Sequence, residues 1–253
     1  MPVVVSEAIV LHAFDYLESS RILRLLTREA GLRSALARGA RRSRKRFGGG
    51  LDLFAHGTAT LHGKPGRDLD TLSAFDDIRS RAPLARSLDR FTGAGAIAEI
   101  AIRFGSAGGD ARLFDAVAAA FDAIIAASEP GSRVAALGGA WRIVAALGHA
   151  PALSHCADCG DALDEAATLL FAHPAGGALC PRCSSLSPGG RRLPGAARAA
   201  IAAWLDGGEG PVATDAERRA HQRLLREFLE YHLHDGRALR AFDLWEGTGS
   251  SAA

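Results

Sequence analysis

The sequence predicts an α+β chain: a small N-terminal β-barrel followed by an α-helical region into which a four-cysteine segment is inserted. Three observations carry this prediction. Up to about residue 79, short strand-like runs, the first rich in β-branched residues, alternate with turn signals. After Asp77 the apolar spacing changes to a helical period. All four cysteines fall in two C-x2-C pairs late in the chain.

The first strand is read from Val3, Val4 and Val5 and the apolar run 8–11, rich in residues that suit a pleated surface. Segments 22–27 and 32–39 follow, separated by Glu29, Ala30 and Gly31, and then 54–62 and 69–75. About five short strands suit a Greek-key barrel of the OB type. An SH3-like barrel is the alternative, and periodicity alone does not separate the two.

Leu84, Leu88, Phe91, Ala98 and Ile102 form the first helical stripe. Phe114, Val117, Phe121, Ile124 and Ile125 form a second, with Asp110 as its N-cap. Val134, Leu137, Trp141, Val144 and Leu147 form a third, opened by Ser132 and closed near Gly148. Beyond the cysteines two more helices are expected. Pro194 opens one. Thr214 and Glu217 make a capping box before the other, whose stripe is His221, Leu224, Leu225, Phe228, Tyr231 and His232. The resulting organisation is a barrel over 1–79 and a helical domain over 80–245 carrying an insert at 150–185. A small polar tail over 246–253 is expected to be disordered. Alanine and glycine are plentiful and aromatics make up only 6% of residues, which favours close helix packing through small side chains.

The cysteines read Cys156-Ala157-Asp158-Cys159 and, twenty residues on, Cys180-Pro181-Arg182-Cys183. Each C-x2-C turn lets two thiolates face one point, and two turns supply the four corners that Zn²⁺ prefers. Two disulfides or four free thiols are the alternatives. Gly160 suits a tight knuckle, and a hairpin between 168–171 and 178–179 would lead to the second pair. Four sulfur ligands close the shell and leave no place for an activated water, so the metal reads as structural. His155 and His173 are nearby but read as surface residues.

Charge is unevenly distributed. Between Arg21 and Arg46 ten Lys/Arg face one acid, a net +9 in a chain whose total is +2, which leaves −7 for everything else. The densest part is Arg38, Arg41, Arg42, Arg44, Lys45 and Arg46, followed at once by Gly48, Gly49 and Gly50. This reads as a mobile basic loop beside the barrel, able to neutralise phosphates without sequence preference. Arg191 and Arg192 could extend the surface. Aromatic stacking platforms are harder to find. Phe47 is the one aromatic in the run, and Phe14 and Tyr16 read equally well as core residues.

No phosphate loop of the G-x-x-x-x-G-K-[ST] kind and no nucleophile elbow is present, so an enzyme is not expected. The chain shows no secretory pattern and no apolar run of membrane length, and the expected compartment is the cytoplasm.

Several segments resemble the RecO family of recombination and repair proteins. Asp15-Tyr16-Leu17-Glu18-Ser19-Ser20-Arg21-Ile22-Leu23 looks like the family's first hairpin, and Leu25-Leu26-Thr27-Arg28-Glu29-Ala30-Gly31 continues it. Arg38-Gly39-Ala40-Arg41-Arg42 resembles its basic strand end, and Leu147-Gly148-His149-Ala150-Pro151-Ala152-Leu153 its approach to the zinc knuckle. The basic segment that commonly ends the family is reduced here to Arg237 and Arg240.

The resemblance implies binding of single- and double-stranded DNA and annealing of complementary strands. It also implies contact with the single-strand-binding protein and help, with a RecR-like ring partner, in loading the RecA recombinase, on the nucleoid during repair. Carried onto this chain, it makes Arg38, Arg41, Arg42, Arg44, Lys45 and Arg46 the DNA-contact candidates. An RNA-binding OB protein and a zinc-ribbon scaffold for protein partners are the competing classes.

Overall fold

In the computed structural model, strand β1 (Val3–Tyr16) runs well past the apolar segment that announced it. The structure describes residues 3–40, 44–47, 51–63, 68–212, 214–233 and 237–247. A β-bulge between Val10 and His12 explains the longer strand. It breaks the alternation in mid-strand, so that the second half no longer reads as a continuation of the first.

β1 pairs antiparallel with β2 (Ser20–Thr27), which pairs with β3 (Gly31–Ala37). A one-turn helix, α1 (Arg44–Phe47), precedes β4 (His56–His62), which pairs with both β1 and β5 (Leu69–Arg79). A short parallel pairing of β3 with β5 closes the barrel in the order β1-β2-β3-β5-β4. This closed five-strand arrangement is OB-like, in agreement with the sequence. The interior is filled mainly by small or branched side chains such as Ala8, Val10, Leu25, Ala35, Ala59 and Leu72, together with Phe47 and Phe75.

A 3-10 turn at Ala82–Arg86 leads into α2 (Leu88–Phe104), followed by α3 (Ala111–Ala126) and α4 (Glu129–Ala146). Asp110 caps α3 as expected, accepting from the N–H groups of Arg112 and Leu113. The first stripe needs correction. Leu84 sits in the 3-10 turn, so the helical phase restarts at Ser87, which caps α2. Leu88 is consequently 67% exposed and Phe91 41% exposed. The buried face of α2 is instead Ala94, Ile97, Ala98 and Ala101. Gly93 permits the approach of α4: a Cβ there would stand 2.9 Å from that of Ala136. The start of α4 is also corrected. Ser128, not Ser132, is its cap, and Ser132 is fully buried inside the helix. Pro130 lies in the first turn, where a missing N–H costs nothing.

Beyond the cysteine segment come α6 (Gly195–Leu205), with Pro194 at its N-cap, and α7 (Asp215–His232), opened by the expected Thr214–Glu217 capping box. Tyr231, counted in the α7 stripe, is 54% exposed. A further helix, α8 (Arg240–Gly247), was not anticipated. It buries Phe242 and Trp245, and it includes Glu246 and Gly247, which the sequence reading gave to the tail. Residues 248–253 lie outside the described residues.

Barrel and helices share one large core, to which the barrel contributes Ile9, Leu11, Leu26, Leu32 and Phe54. The β2–β3 turn locks against the α2–α3 loop: Leu32 N–H donates to Ser106 at 2.9 Å. Gly31, at φ +64, lies so close to Gly108 that a Cβ would be 2.2 Å from its carbonyl oxygen. Only glycine meets both demands. Arg28 bridges the same seam, pairing with Glu7 at 3.1 Å and with Asp115, and lying over the Phe114 ring. No helix among the described residues is long and apolar enough to cross a membrane.

Candidate nucleic-acid interface and metal centre

The cysteine segment folds as two turns brought together by a small sheet. Strands β6 (Leu169–Ala172) and β7 (Gly177–Leu179) form the expected hairpin, and β8 (Arg191–Leu193) adds a third strand beside β6. The first turn carries Cys156 and Cys159. Gly160, at φ +78, lets the chain reverse so that its N–H donates to the Cys156 carbonyl at 2.9 Å. The second turn places Cys180 before α5 (Pro181–Ser184) and Cys183 within it.

The four sulfur atoms all lie within 4.8 Å of one another. All four thiols are free of disulfides, and the Sγ atoms of Cys159 and Cys180 are 3.8 Å apart. A tetrahedron with metal–sulfur bonds of about 2.3 Å has edges of about 3.8 Å, so the donor set can hold a metal ion. Burial pushes the Cys156 thiol up, but backbone N–H groups of Cys159, Cys180 and Asp158 outweigh it and bring the thiol down to about 6. Those donors stabilise a thiolate, the form a metal binds. Neither nearby histidine joins the cluster. His155 Nδ1 contacts Ser154, and His173 Nε2 contacts Glu227 at 3.1 Å.

The ten basic residues between Arg21 and Arg46 do not form one surface. Arg21 pairs with Asp15, Arg28 with Glu7 and Asp115, and Arg33 with the buried Asp70. The partners come from other strands and from α3, so a local charge count overstates the free positive charge. What remains concentrates at the end of β3. Arg38 is exposed there, and no carboxylate among the described residues pairs with it. Arg44 and Lys45 lie on α1, and Arg41 and Arg42 fall outside the described residues.

Nor is the run a plain loop, as the sequence suggested. Phe47 at the end of α1 is 1% exposed and packs in the barrel core, so it cannot stack on a ligand. Exposed Arg46 lies over the Phe47 ring and donates to the Arg38 carbonyl at 2.9 Å, tying α1 back to β3. Arg46 is thereby held against the end of β3. Arg191, a possible extension, is engaged by Glu227.

Phe14 and Tyr16, for which the sequence left core and surface equally open, are each 44% exposed. Beside them Arg24 donates to Ser34 and, among the described residues, meets no carboxylate. The sequence carried a weak signal for this, the two-residue spacing of His12, Phe14 and Tyr16, but the bulge before it hid which way the strand faced.

Comparison with known proteins agrees with this architecture. Residues 1–81 match the family model described as Recombination protein O N terminal, and residues 85–240 match Recombination protein O C terminal. The DNA repair protein RecO of Anaeromyxobacter sp. (strain K) is 39% identical over 245 residues, covering 92% of this chain and 93% of that one. The DNA repair protein RecO of Rubrobacter xylanophilus is 36% identical over 184 residues, 72% of each chain. That of Bifidobacterium adolescentis is 30% identical over 96% of this chain and all of its own length.

Proposed function

The chain belongs to the RecO family of DNA-repair proteins, and from that premise we propose that it is a non-enzymatic recombination mediator. It binds single- and double-stranded DNA through the barrel, residues 1–79, and anneals complementary strands. With a RecR-like ring partner it helps load recombinase onto DNA coated by the single-strand-binding protein, in the cytoplasm at the nucleoid. Residues 80–245 are the helical unit that supports the barrel and carries the cysteine insert over 150–185.

The observation that carries this proposal is the basic group at the β3 end, where exposed Arg38 precedes α1, which carries Arg44, Lys45 and the exposed Arg46. Arg41 and Arg42 belong to the same contact set by sequence. Concentrated within nine residues of chain, these charges displace condensed counterions from a phosphate backbone, and that release drives binding. Two strands neutralised by such a group repel one another less, which lets them meet and pair. Cys156, Cys159, Cys180 and Cys183 hold a Zn²⁺ ion whose role is to staple a segment with a small core of its own.

The test is the salt dependence of single-strand binding in a variant carrying Arg38→Ala, Arg44→Ala, Lys45→Ala and Arg46→Ala. Each lost phosphate contact lowers the slope of log K against log salt by about 0.7. A slope equal to that of the unaltered chain removes this cluster from the interface.

A further inference from the structure

We propose that the outer stripe His12, Phe14 and Tyr16 of β1 is a base-stacking platform that selects single-stranded DNA over duplex. The inference rests on the DNA-binding reading above and adds to it a second kind of contact, distinct from the phosphate contacts of the basic cluster.

The stripe exists because of the bulge between Val10 and His12. Before it, Ile9 and Leu11 face the helices and are fully covered. After it, Ala13 turns inward to the barrel core, and His12, Phe14 and Tyr16 turn outward beyond the reach of the helices. Two half-exposed aromatic rings and an exposed imidazole on consecutive outward positions form one contiguous aromatic stripe, the kind of surface that a binding partner covers.

Their neighbours indicate what does. Cross-strand partners point to the same face, and the register sets His12 opposite Arg24, Phe14 opposite Ile22 and Tyr16 opposite Ser20. One strand further, Arg24 faces Ser34 and Ile22 faces Leu36, and Arg38, just past the end of β3, lines one hollow with Ile22, Ser34 and Leu36. The aromatic stripe is thus flanked by two arginines that no described carboxylate neutralises, and one of them belongs to the basic cluster. A polymer that is anionic along its backbone and aromatic along its bases complements both features together.

Spacing decides between single strand and duplex. Alternate residues of a strand stand about 6.8 Å apart, twice the step of about 3.4 Å between stacked bases in a duplex. His12 and Phe14 are tilted by 58° with ring centroids 5.7 Å apart, so they do not cover each other face to face. Each ring offers a face to one splayed base, and a duplex keeps its bases stacked on one another. Stacking of this kind tolerates any sequence, because every base has a π-face.

The test compares the unaltered chain with Phe14→Ala/Tyr16→Ala and Phe14→Leu/Tyr16→Leu double variants, and with Phe14→Trp. Each is titrated at low salt with oligothymidylate and with a duplex of equal length, roughly 15 nucleotides. The leucine variant retains apolar area and loses the π-face. The expected result is a loss of about tenfold or more in single-strand affinity for both double variants, with duplex affinity within about twofold and Phe14→Trp unimpaired. An oligonucleotide carrying 5-iodouracil should crosslink on irradiation to a peptide containing Phe14 or Tyr16.

Equal losses on both polymers, full affinity in the leucine variant, or crosslinks confined to other strands would overturn the platform while leaving the DNA-binding reading intact. Oligouridylate bound more tightly than oligothymidylate would overturn the assignment to DNA. Failure of the unaltered chain to bind either DNA would remove the DNA-binding reading and the platform with it.

Discussion

Replacing Glu99 should loosen a helix that lies more than a hundred residues away in the chain. Glu99, on α2, directs its carboxylate at the start of α8: Oε1 accepts from the Arg240 N–H at 2.9 Å, and Oε2 accepts from Ala241 at 2.9 Å and Phe242 at 3.1 Å. A helix start leaves four N–H groups without partners, and here one side chain from another helix serves three of them. Loss of a cap costs about 0.5–2 kcal/mol, and loss of an anion at the positive end of the helix dipole about 0.3–1 kcal/mol. Because Arg240 is exposed, water can take over part of the role, which keeps the total for Glu99→Ala at about 2 kcal/mol. For a chain of this size that is a fall of about 4–8 °C in Tm. Glu99→Gln, which keeps an acceptor oxygen without charge, should fall between. Trp245, one of three buried tryptophans and the one on α8, reports the local event as a partial red shift of the summed emission as the helix loosens. An Ala variant with an unchanged melting midpoint and unshifted tryptophan emission would refute the idea that α2 caps α8.

Two further outcomes follow from buried groups. Purified protein should contain one zinc ion per chain by elemental analysis, and Cys156→Ser should release it and lower Tm without abolishing DNA binding directly; a metal-free, equally stable wild type would exclude the site. His221 is held to about 4 by burial between α7 and Trp204, well below its ordinary value of about 6.5. A depressed folded-state value means that the unfolded chain takes up the proton first, so stability is present above about pH 6.5 and lost as pH falls towards 4. His221→Gln should flatten that acid limb in denaturant melts, by up to about 1 kcal/mol per pH unit; an unaltered limb would place the acid sensitivity elsewhere.

Much of the architecture was legible because it is written in short-range chemistry. The capping box at Thr214 and Glu217, the Asp110 cap and the β-branched Val3, Val4 and Val5 run of β1 act over a few residues, and they appear where the sequence places them. The cysteine spacing is local in the same way: each C-x2-C turn aims two sulfurs, and a hairpin is enough to bring the turns together. Arg38 was readable as a surface charge because it stands at a strand end among other charges.

What could be read from the chain alone, then, was the order of a barrel and then helices, and a cysteine quartet spaced so that it could hold a metal ion; the family followed from the likeness of whole segments, not from spacing, and α1 and α8 went unannounced. Tertiary structure alone decided which charges remain free and which faces remain open. Arg28 and Arg33 lose their freedom to Asp115 and Asp70, neighbours made by barrel closure and by the docking of α3. Phe47 disappears into the barrel while Phe14 and Tyr16 emerge on it, because a single bulge sets the phase of β1 and helix packing stops short of its second half. Helix α8 forms where Glu99 and the apolar surface of α2 receive it. In each case the deciding partner is remote in the chain, and no local pattern can report the field or the packing of a residue that only folding brings near.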